Sequence, residues 1–466
     1  MPSFVERGVC MKGPVSIGDK LDLNIIDLTN QGLGVGKVEG FTIFVEGGLP
    51  GDELIAEIKK TKKNFAEAKA VEIKNPSSKR QISECKYYKN CGGCQLHELD
   101  YRAQLDIKTN MVKDAIERIG KLEDVKINPT IGMETPFRYR NKGMFKVGEK
   151  EGNISIGYFK NKSHEVVDIE ECIIQDEVVD KVLKIVKEYM EKYNVQAYNK
   201  KTNKGTIRDI VTRKAKDGST MVIIVTTSEK LPYKDELIKS LKTVKEVVSI
   251  YQNINKKKTP VVLGNKNIKL YGEDKIVDYI DKFKFYISPN SFFQVNPIQT
   301  EVLYKKALEY LDLNGGETVF DLYCGIGTIS LFISEKAKSV YGVEIVSDAI
   351  KDAEENAKLN NVRNIEFIEG KSEEIAPKLL KEGIKADKIV VDPPRKGCDE
   401  KLLETIVKIK PETVVYVSCN PSTLARDLKY LDENGYKVIE VQPVDMFPWT
   451  MHVECVTLLT RNEDKE

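Results

Sequence analysis

The chain holds 466 residues, 41% hydrophobic and 31% charged, a balance that fits a soluble globular protein and excludes wholesale disorder. At roughly 100–200 residues per domain it is too long for one core and predicts two to four. No apolar run approaches the ~18 residues of a membrane span, and the first twenty residues lack an apolar stretch, so a cytoplasmic protein with no membrane partner is expected.

In chain order, residues 13–73 predict a small OB-like β-barrel. Strand formers recur in LDLNIIDL, FTIFVEG and LIAEIKK, and the glycine-rich QGLGVGKVEG and GGLPGD supply turns. Lys59, Lys60, Lys62 and Lys63 give the barrel a basic edge. Residues 74–285 read as a central domain of mixed α/β texture, with strands in GMFKVG, ISIGYF, MVIIVTT and VVSIYQNI. Within it, residues 101–120 predict a helix with Met111, Val112, Ala115, Ile116 and Ile119 on one face and Gly120 as its stop. The stretch 99–120 is a candidate to dock on the domain that follows.

Residues 286–466 change texture. Asn296-Pro297 is a helix start, a cap residue followed by proline, for a helix through Leu311. Strands and helices then alternate through TVFDLY, TISLFISEKA, SVYGVE, SDAIKDAEENAKL, IEFIEG, KIVVDPP, TVVYVSC and PSTLARDLKYLDEN. YKVIEVQPV and HVECVTLLTR close the chain as an expected hairpin. This is the pattern of a doubly wound, Rossmann-like α/β domain with ligands at the carboxyl ends of its strands.

Charge divides the chain too. Residues 1–314 carry 53 Lys and Arg against 44 Asp and Glu, and residues 315–466 carry 20 against 28. Residues 195–216 alone hold seven basic residues and one acid. A basic front on an acidic back is what an RNA-facing arm on an enzymatic domain shows.

Nine cysteines in a cytosolic chain point to metal ligands, nucleophiles or small core residues rather than disulfides. Cys85, Cys91 and Cys94 form C-x5-C-G-G-C, and Cys172 stands far downstream. Four thiolates suit zinc or an iron–sulfur cluster, and spacing leaves both open; His97, at C-x2-H, is a zinc-type alternative to Cys172. Radical S-adenosylmethionine chemistry wants C-x3-C-x2-C, which this spacing does not match.

Three strand ends carry the chemistry. Asp321-Leu-Tyr-Cys-Gly-Ile-Gly327 leads from a strand into a helix, and Glu344 closes the next strand, where a carboxylate can hold ribose hydroxyls. Ser330 stands where a dinucleotide fingerprint has its third glycine, so a nucleoside cofactor without a pyrophosphate, such as S-adenosylmethionine, fits better. Asp392-Pro-Pro-Arg-Lys-Gly397 ends the fourth strand; Arg395 occupies the position where amino-group methyltransferases carry an aromatic, which favours a phosphate or base-edge contact. Cys419, in Ser418-Cys-Asn-Pro421, ends the fifth strand before a helix N-terminus, a setting that favours thiolate. Glu454 lies inside an apolar strand, where a carboxylate needs a partner or a task. Thiolate, carboxylate and methyl donor together suggest methylation of pyrimidine carbon 5.

The motifs SPNSFFQVN (ending at Asn296), DLYCGIGT (321–328), VDPPRKG (391–397), VSCNPSTLARD (417–427) and FPWTMHVECV (447–456) resemble those of the RNA uracil-5 methyltransferases. A TRAM-type barrel at 13–73, the C-x5-CGGC loop and FRYRNK (137–142) extend the resemblance over nearly the whole chain. The resemblance implies Cys419 as nucleophile, Glu454 as base, and a cofactor site lined by Gln294, Tyr323, Glu344 and Asp392. It also implies a [4Fe-4S] cluster on Cys85, Cys91, Cys94 and Cys172, and RNA as partner, 23S rRNA ahead of tRNA, with no obligate protein partner. Cytosine-5 methylation is the rival chemistry, but Pro394 stands where those enzymes have a cysteine. An rRNA-binding assembly protein is the non-enzymatic rival, and it needs neither Cys419 nor Glu454.

The same reading gives two RNA contacts. Lys59–Lys63 and the Lys200–Lys216 cluster are expected to bind phosphates, and Arg138, Tyr139 and Arg140 to offer charge and an aromatic to a flipped base.

Overall fold

A computed structural model describes residues 14–462; Cys10 and the first residue of the expected barrel, 13, lie outside them. The chain divides into two compact units.

One unit comprises the chain through Glu84, with Cys94–Ile107 and Trp449–Met451. Its strands are β1 (Lys20–Asn24), β2 (Asp27–Leu28), β3 (Gly34–Val38), β4 (Phe41–Glu46), β5 (Glu53–Thr61) and β6 (Phe65–Asn75). They form one sheet in the order β1-β5-β6-β4-β3-β2, with β4 and β6 the parallel pair. Alternate residues turn inward, so Leu54, Ala56 and Ile58 of β5 join Leu23, Ile43 and Val45 in a common core. Gly34 is required by crowding: a Cβ there would sit 2.8 Å from the Gly48 carbonyl oxygen. In the same unit Trp449 is firmly held. Its carbonyl accepts from the N–H groups of Gln95 and Leu96 at 2.9 and 3.0 Å, and the His97 ring stacks on it at 4.8 Å. Burial pulls the His97 pKa down to about 4, so the ring is neutral.

The other unit comprises Cys85–Gly93, Lys108–Pro448 and the chain from His452. Helix α1 (Tyr101–Ala115) belongs to the first unit through Ile107 and to this one from Lys108, and is followed by a π turn, Ile116–Gly120. The expected helix therefore changes pitch at its end, and the wider turn buries Ile116 and Gly120 while Ile119 is exposed. A short strand β7 (Lys126–Ile127) comes next. A seven-stranded sheet contains β8 (Lys142–Lys150), β9 (Asn153–Phe159), β10 (Val166–Asp168), β11 (Ile207–Lys214), β12 (Thr220–Thr226), β13 (Val247–Ile254) and β14 (Lys266–Gly272). Its order is β10-β9-β8-β11-β12-β13-β14. Helices α2 (Glu177–Lys192) and α3 (Lys234–Leu241) share its apolar core.

A hairpin, β15 (Ile276–Ile280) and β16 (Phe283–Ile287), leads to α4 (Pro297–Leu311). That helix starts as the sequence predicts: the Asn296 side chain accepts from the Gln299 N–H, and Pro297 holds the first position. Five parallel strands follow, each with a helix after it: β17 (Thr318–Leu322) and α5 (Thr328–Ser334), β18 (Ser339–Glu344) and α6 (Ser347–Leu359). Next come β19 (Ile365–Glu369) and α7 (Ser372–Lys381), β20 (Lys388–Val391) and α8 (Glu400–Ile409), β21 (Thr413–Ser418) and α9 (Pro421–Glu433). The expected terminal hairpin, β22 (Tyr436–Val444) and β23 (Glu454–Arg461), completes a sheet ordered β19-β18-β17-β20-β21-β23-β22-β7. β23 lies antiparallel between β21 and β22. Val112, Ala115 and Ile116 lie in the same core as Phe320, Leu424 and Leu428. No helix among the described residues is long and apolar enough to cross a membrane.

Candidate active site

Strand order reverses at β17, which places a crevice at the carboxyl ends of β17, β18 and β20. The turn after β17 is tight. Tyr323, Gly325 and Gly327 all have positive φ, and a Cβ on Gly327 would lie 2.7 Å from the Phe367 ring. Glu344 ends β18 and braces this turn: its carboxylate accepts from the N–H groups of Gly325 and Val346 at 3.3 and 2.9 Å. Asp321 is buried within β17, with one oxygen accepting from the Ser330 hydroxyl and the other without a partner. Burial first, then the negative charges of Asp392 and Glu344, push its pKa up to about 7. Burial likewise raises Asp392 to about 6.

Register brings Cys419 and Glu454 together. Ser418 pairs with Cys455 at the end of the β21–β23 ladder, so Cys419, just after Ser418, and Glu454, just before Cys455, both adjoin this last rung. Glu454 is 5% exposed, and burial, then Asp392, pushes its pKa up to about 8. The Cys419 thiol rises to about 11 through burial, Glu454 and Asp392, while Arg395 and its own backbone N–H pull the other way. Asn420 caps α9 and also ties the neighbouring loop, because its Nδ2 donates to the Arg395 carbonyl at 3.0 Å. The Thr423 hydroxyl donates to the same carbonyl at 3.2 Å. The DPPR and SCNP loops are thus fastened into one edge.

Gln294 is buried just before α4, and its backbone carbonyl accepts from Asn141 Nδ2 at 3.0 Å. The preceding loop is gripped by Arg213, which donates to the carbonyls of Pro289 and Ser291. Burial lowers Lys142 to a pKa of about 7, helped by the charges of Arg213 and Arg140. This cationic group was not among the expected site residues, and its only trace in the sequence is FRYRNK.

A buried strap leaves β22. Four consecutive carbonyls each accept from a different segment: Asp445 from Gln299 Nε2 at 3.1 Å, Met446 from Asn296 Nδ2 at 3.1 Å, Phe447 from Lys108 Nζ at 3.2 Å and Pro448 from the Tyr139 hydroxyl at 3.1 Å. Two expected RNA contacts are corrected here. Tyr139 is 4% exposed and committed to this strap, so it presents no ring to a base. Arg138 is spent on the carbonyls of Cys172 and Gln175 and on the carboxylates of Asp180 and Glu171.

The basic run 195–216 is also thinned. Arg213 is buried, Arg208 donates to the carbonyls of Asn255 and Lys257, and Lys214 pairs with Asp176 at 2.8 Å. Lys200, Lys201, Lys204 and Lys216 remain exposed.

Of the expected metal ligands, Cys85, Cys91 and Cys172 fall in one unit and Cys94 in the other. The first three sense one another electrostatically: Cys91 is raised by burial and then by Cys85, and Cys172 is pushed up to about 12 by burial, with Cys91 and Cys85 adding to it. Among the described residues, no group of three or more His, Cys, Asp or Glu side chains is disposed to hold a metal ion.

A central parallel sheet with an antiparallel last strand, a glycine turn braced by an acid and a second acid after the fourth strand define a class I methyltransferase. Residues 100–462 match the family described as tRNA (Uracil-5-)-methyltransferase, and residues 14–71 match the TRAM domain. The chain belongs to this RNA uracil-5 methyltransferase family and is an S-adenosylmethionine-dependent RNA methyltransferase. It is 52% identical over 455 residues to an uncharacterized RNA methyltransferase of Clostridium tetani, covering 97% of this chain and 99% of that one. A Bacillus cereus protein described in the same words is 51% identical over 455 residues, with the same coverage. Among solved structures, the Pyrococcus abyssi tRNA (uracil-54, C5)-methyltransferase in complex with S-adenosyl-L-homocysteine is 30% identical with a TM-score of 0.76. That match covers 94% of this chain and all of the other.

Proposed function

We propose that the chain methylates carbon 5 of a uridine in RNA through a covalent bond between Cys419 sulfur and carbon 6 of the base. The observation that carries this is that Cys419 and Glu454 both adjoin the last rung of the β21–β23 ladder, Ser418 with Cys455, close enough for the Glu454 charge to act on the Cys419 thiol. Cys419 first loses its thiol proton to solvent and adds as thiolate to carbon 6; the carbon 5–carbon 6 double bond opens to an enolate, which makes carbon 5 nucleophilic enough to take a methyl group. When bound, S-adenosylmethionine supplies that methyl as an electrophile. Glu454 then accepts the carbon 5 proton, the carbon 6–sulfur bond breaks, and Cys419 leaves as thiolate. Gln294, Tyr323, Glu344 and Asp392 would line the cofactor pocket. The cluster of carboxyls around it suits a ligand that carries a sulfonium and an ammonium.

The substrate in this reading is 23S rRNA, on the strength of the barrel and the four cysteines together. The tRNA named for the Pyrococcus relative supports the second reading. Incubating the purified protein and S-adenosylmethionine with each RNA, then locating the modified base by mass spectrometry, tests both. 5-Methyluridine in 23S rRNA is the expected product; 5-methylcytidine, or no methylation of either RNA, would defeat the chemistry, and product in tRNA alone would transfer it to the second reading.

The cysteines are proposed to hold a [4Fe-4S] cluster that shapes the protein rather than reacting. Cys85, Cys91, Cys94 and Cys172 offer an all-thiolate donor set, and the electrostatic coupling of three of them supports it. Protein purified without oxygen should contain about four irons, with sulfide, per chain. Stoichiometric zinc without sulfide would overturn this.

A further inference from the structure

The turn between β9 and β10 is built on the cysteine loop. Cys91 and Lys160 form an isolated bridge, and the Gly92 N–H donates to the Phe159 carbonyl at 2.9 Å. The approach is too close for a side chain: a Cβ on Gly92 would meet the Phe159 carbonyl oxygen at 2.9 Å and the Asn161 nitrogen at 3.3 Å. An open cavity of about 430 Å³ lies here, lined by Gly92, Phe159, Lys160, Asn161, Lys162, Ser163 and His164.

Its chemistry is lopsided. Glu165, Asp168 and Glu170, the acids that follow in sequence, are already paired, with Lys150 at 3.3 Å, with Lys187, and with Lys86 at 3.1 Å. Lys160 and Lys162 are exposed and take part in no ion pair among the described residues. Lys162 holds a φ of +55°, a conformation that glycine or asparagine adopts at less cost, so its presence favours a use for its side chain. Phe159, half-buried, meets His164 edge to face at 5.3 Å and has the Lys146 ammonium 5.7 Å from its centre. Unpaired cations around an aromatic floor are the means by which proteins hold single-stranded nucleic acid, charge for the phosphate and a ring for the base.

We propose that residues 159–164 form a cradle for one nucleotide of the RNA substrate, distinct from the uridine being methylated. Lys160 and Lys162 take its phosphodiester and Phe159 and His164 its base. This rests on the reading of the chain as an RNA methyltransferase of uridine.

The test measures affinity for a 23S rRNA transcript and for unfractionated tRNA over a range of salt, using the full chain. Removing both lysines, Lys160→Ala with Lys162→Ala, should weaken binding of the substrate RNA about tenfold and flatten its log–log salt slope by roughly 1.4–1.8, two phosphate contacts' worth. Phe159→Leu, which keeps an apolar side chain, should weaken binding at least about fivefold through lost stacking. Turnover at saturating RNA should stay at the wild-type rate in both variants. Unchanged affinity and slope would overturn the proposal. So would an equal loss from Lys336→Ala with Lys338→Ala, exposed lysines outside the expected RNA contacts, because net charge alone would then explain the effect. If wild-type protein bound RNA through the cradle but methylated no uridine, the cradle would stand and the proposed reaction would fall.

Discussion

Lys108 and Asp445, 337 residues apart in sequence, form an ion pair at 2.5 Å with both side chains wholly shut off from solvent. Burial pulls the Lys108 pKa down, and Asp445 pulls it back. Such a pair adds little net stability over well-packed apolar residues, but removing one partner strands the other's charge. Lys108→Ala should therefore cost about 3–5 kcal/mol in urea unfolding. Lys108→Met combined with Asp445→Leu should recover most of that loss. If both behaved like the single variant, the pair would be more than mutual neutralisation.

The order of the two proposed catalytic steps is readable in what each variant accumulates. Cys419→Ala should bind RNA and cofactor and form no covalent adduct. Glu454→Gln should complete addition and methyl transfer and then stall, leaving protein joined to a methylated nucleotide that survives denaturing electrophoresis. Every ~1.4 kcal/mol lost from the last step lengthens the stall tenfold. Normal turnover by Glu454→Gln, or methylation by Cys419→Ala, would rule the scheme out.

Glu454 also makes stability depend on pH. Its carboxyl titrates near 8 when folded and near its ordinary 4.5 when unfolded. Below 4.5 both forms hold the proton and the difference vanishes. Between 4.5 and 8 the unfolded chain gives it up while the folded one keeps it, so folding loses stability as pH rises. Glu454→Gln should nearly match wild type in urea unfolding at pH 4.5 and exceed it by about 5 kcal/mol at pH 8.5, at ~1.4 kcal/mol for each unit of pH between. Equal midpoints at both values would show that Glu454 is ionised in the folded protein at little cost.

Gly327 has a φ of +79° and a Phe367 ring 2.7 Å from where a Cβ would stand. Gly327→Ala should lower affinity for S-adenosylmethionine by tenfold or more, read by calorimetry, and lower the thermal midpoint, since strain of this kind costs ~1–3 kcal/mol. Retained affinity would mean that the turn shifts freely.

Much of this was legible because the signals are local. Asn296-Pro297 caps α4 as read, the glycine turn sits where DLYCGIG places it, and Glu454 opens a strand at the edge that bears Cys419. What failed was charge read as surface. Arg138, Arg208 and Arg213 count as basic in composition, yet each is spent on carbonyls of the protein itself. Tyr139 misled likewise, because a tyrosine between two arginines gives no sign of a carbonyl 309 residues away. Lys108, an unremarkable lysine on a helix, could not be told from a solvated one. Long-range burial of a polar group leaves no periodicity behind.

The first unit is assembled from three stretches of chain, the last of them Trp449–Met451. A ribosome makes those residues long after the barrel strands, at about 5–20 residues per second. The barrel strands are thus exposed well before Gln95, Leu96 and His97 acquire the tryptophan they hold, and that unit stays unfinished until residue 449 has been made. The barrel unit is accordingly hostage to a segment encoded far downstream of it: a chain stopped before residue 449 lacks a piece of both units, and proteases should find the front of such a fragment first.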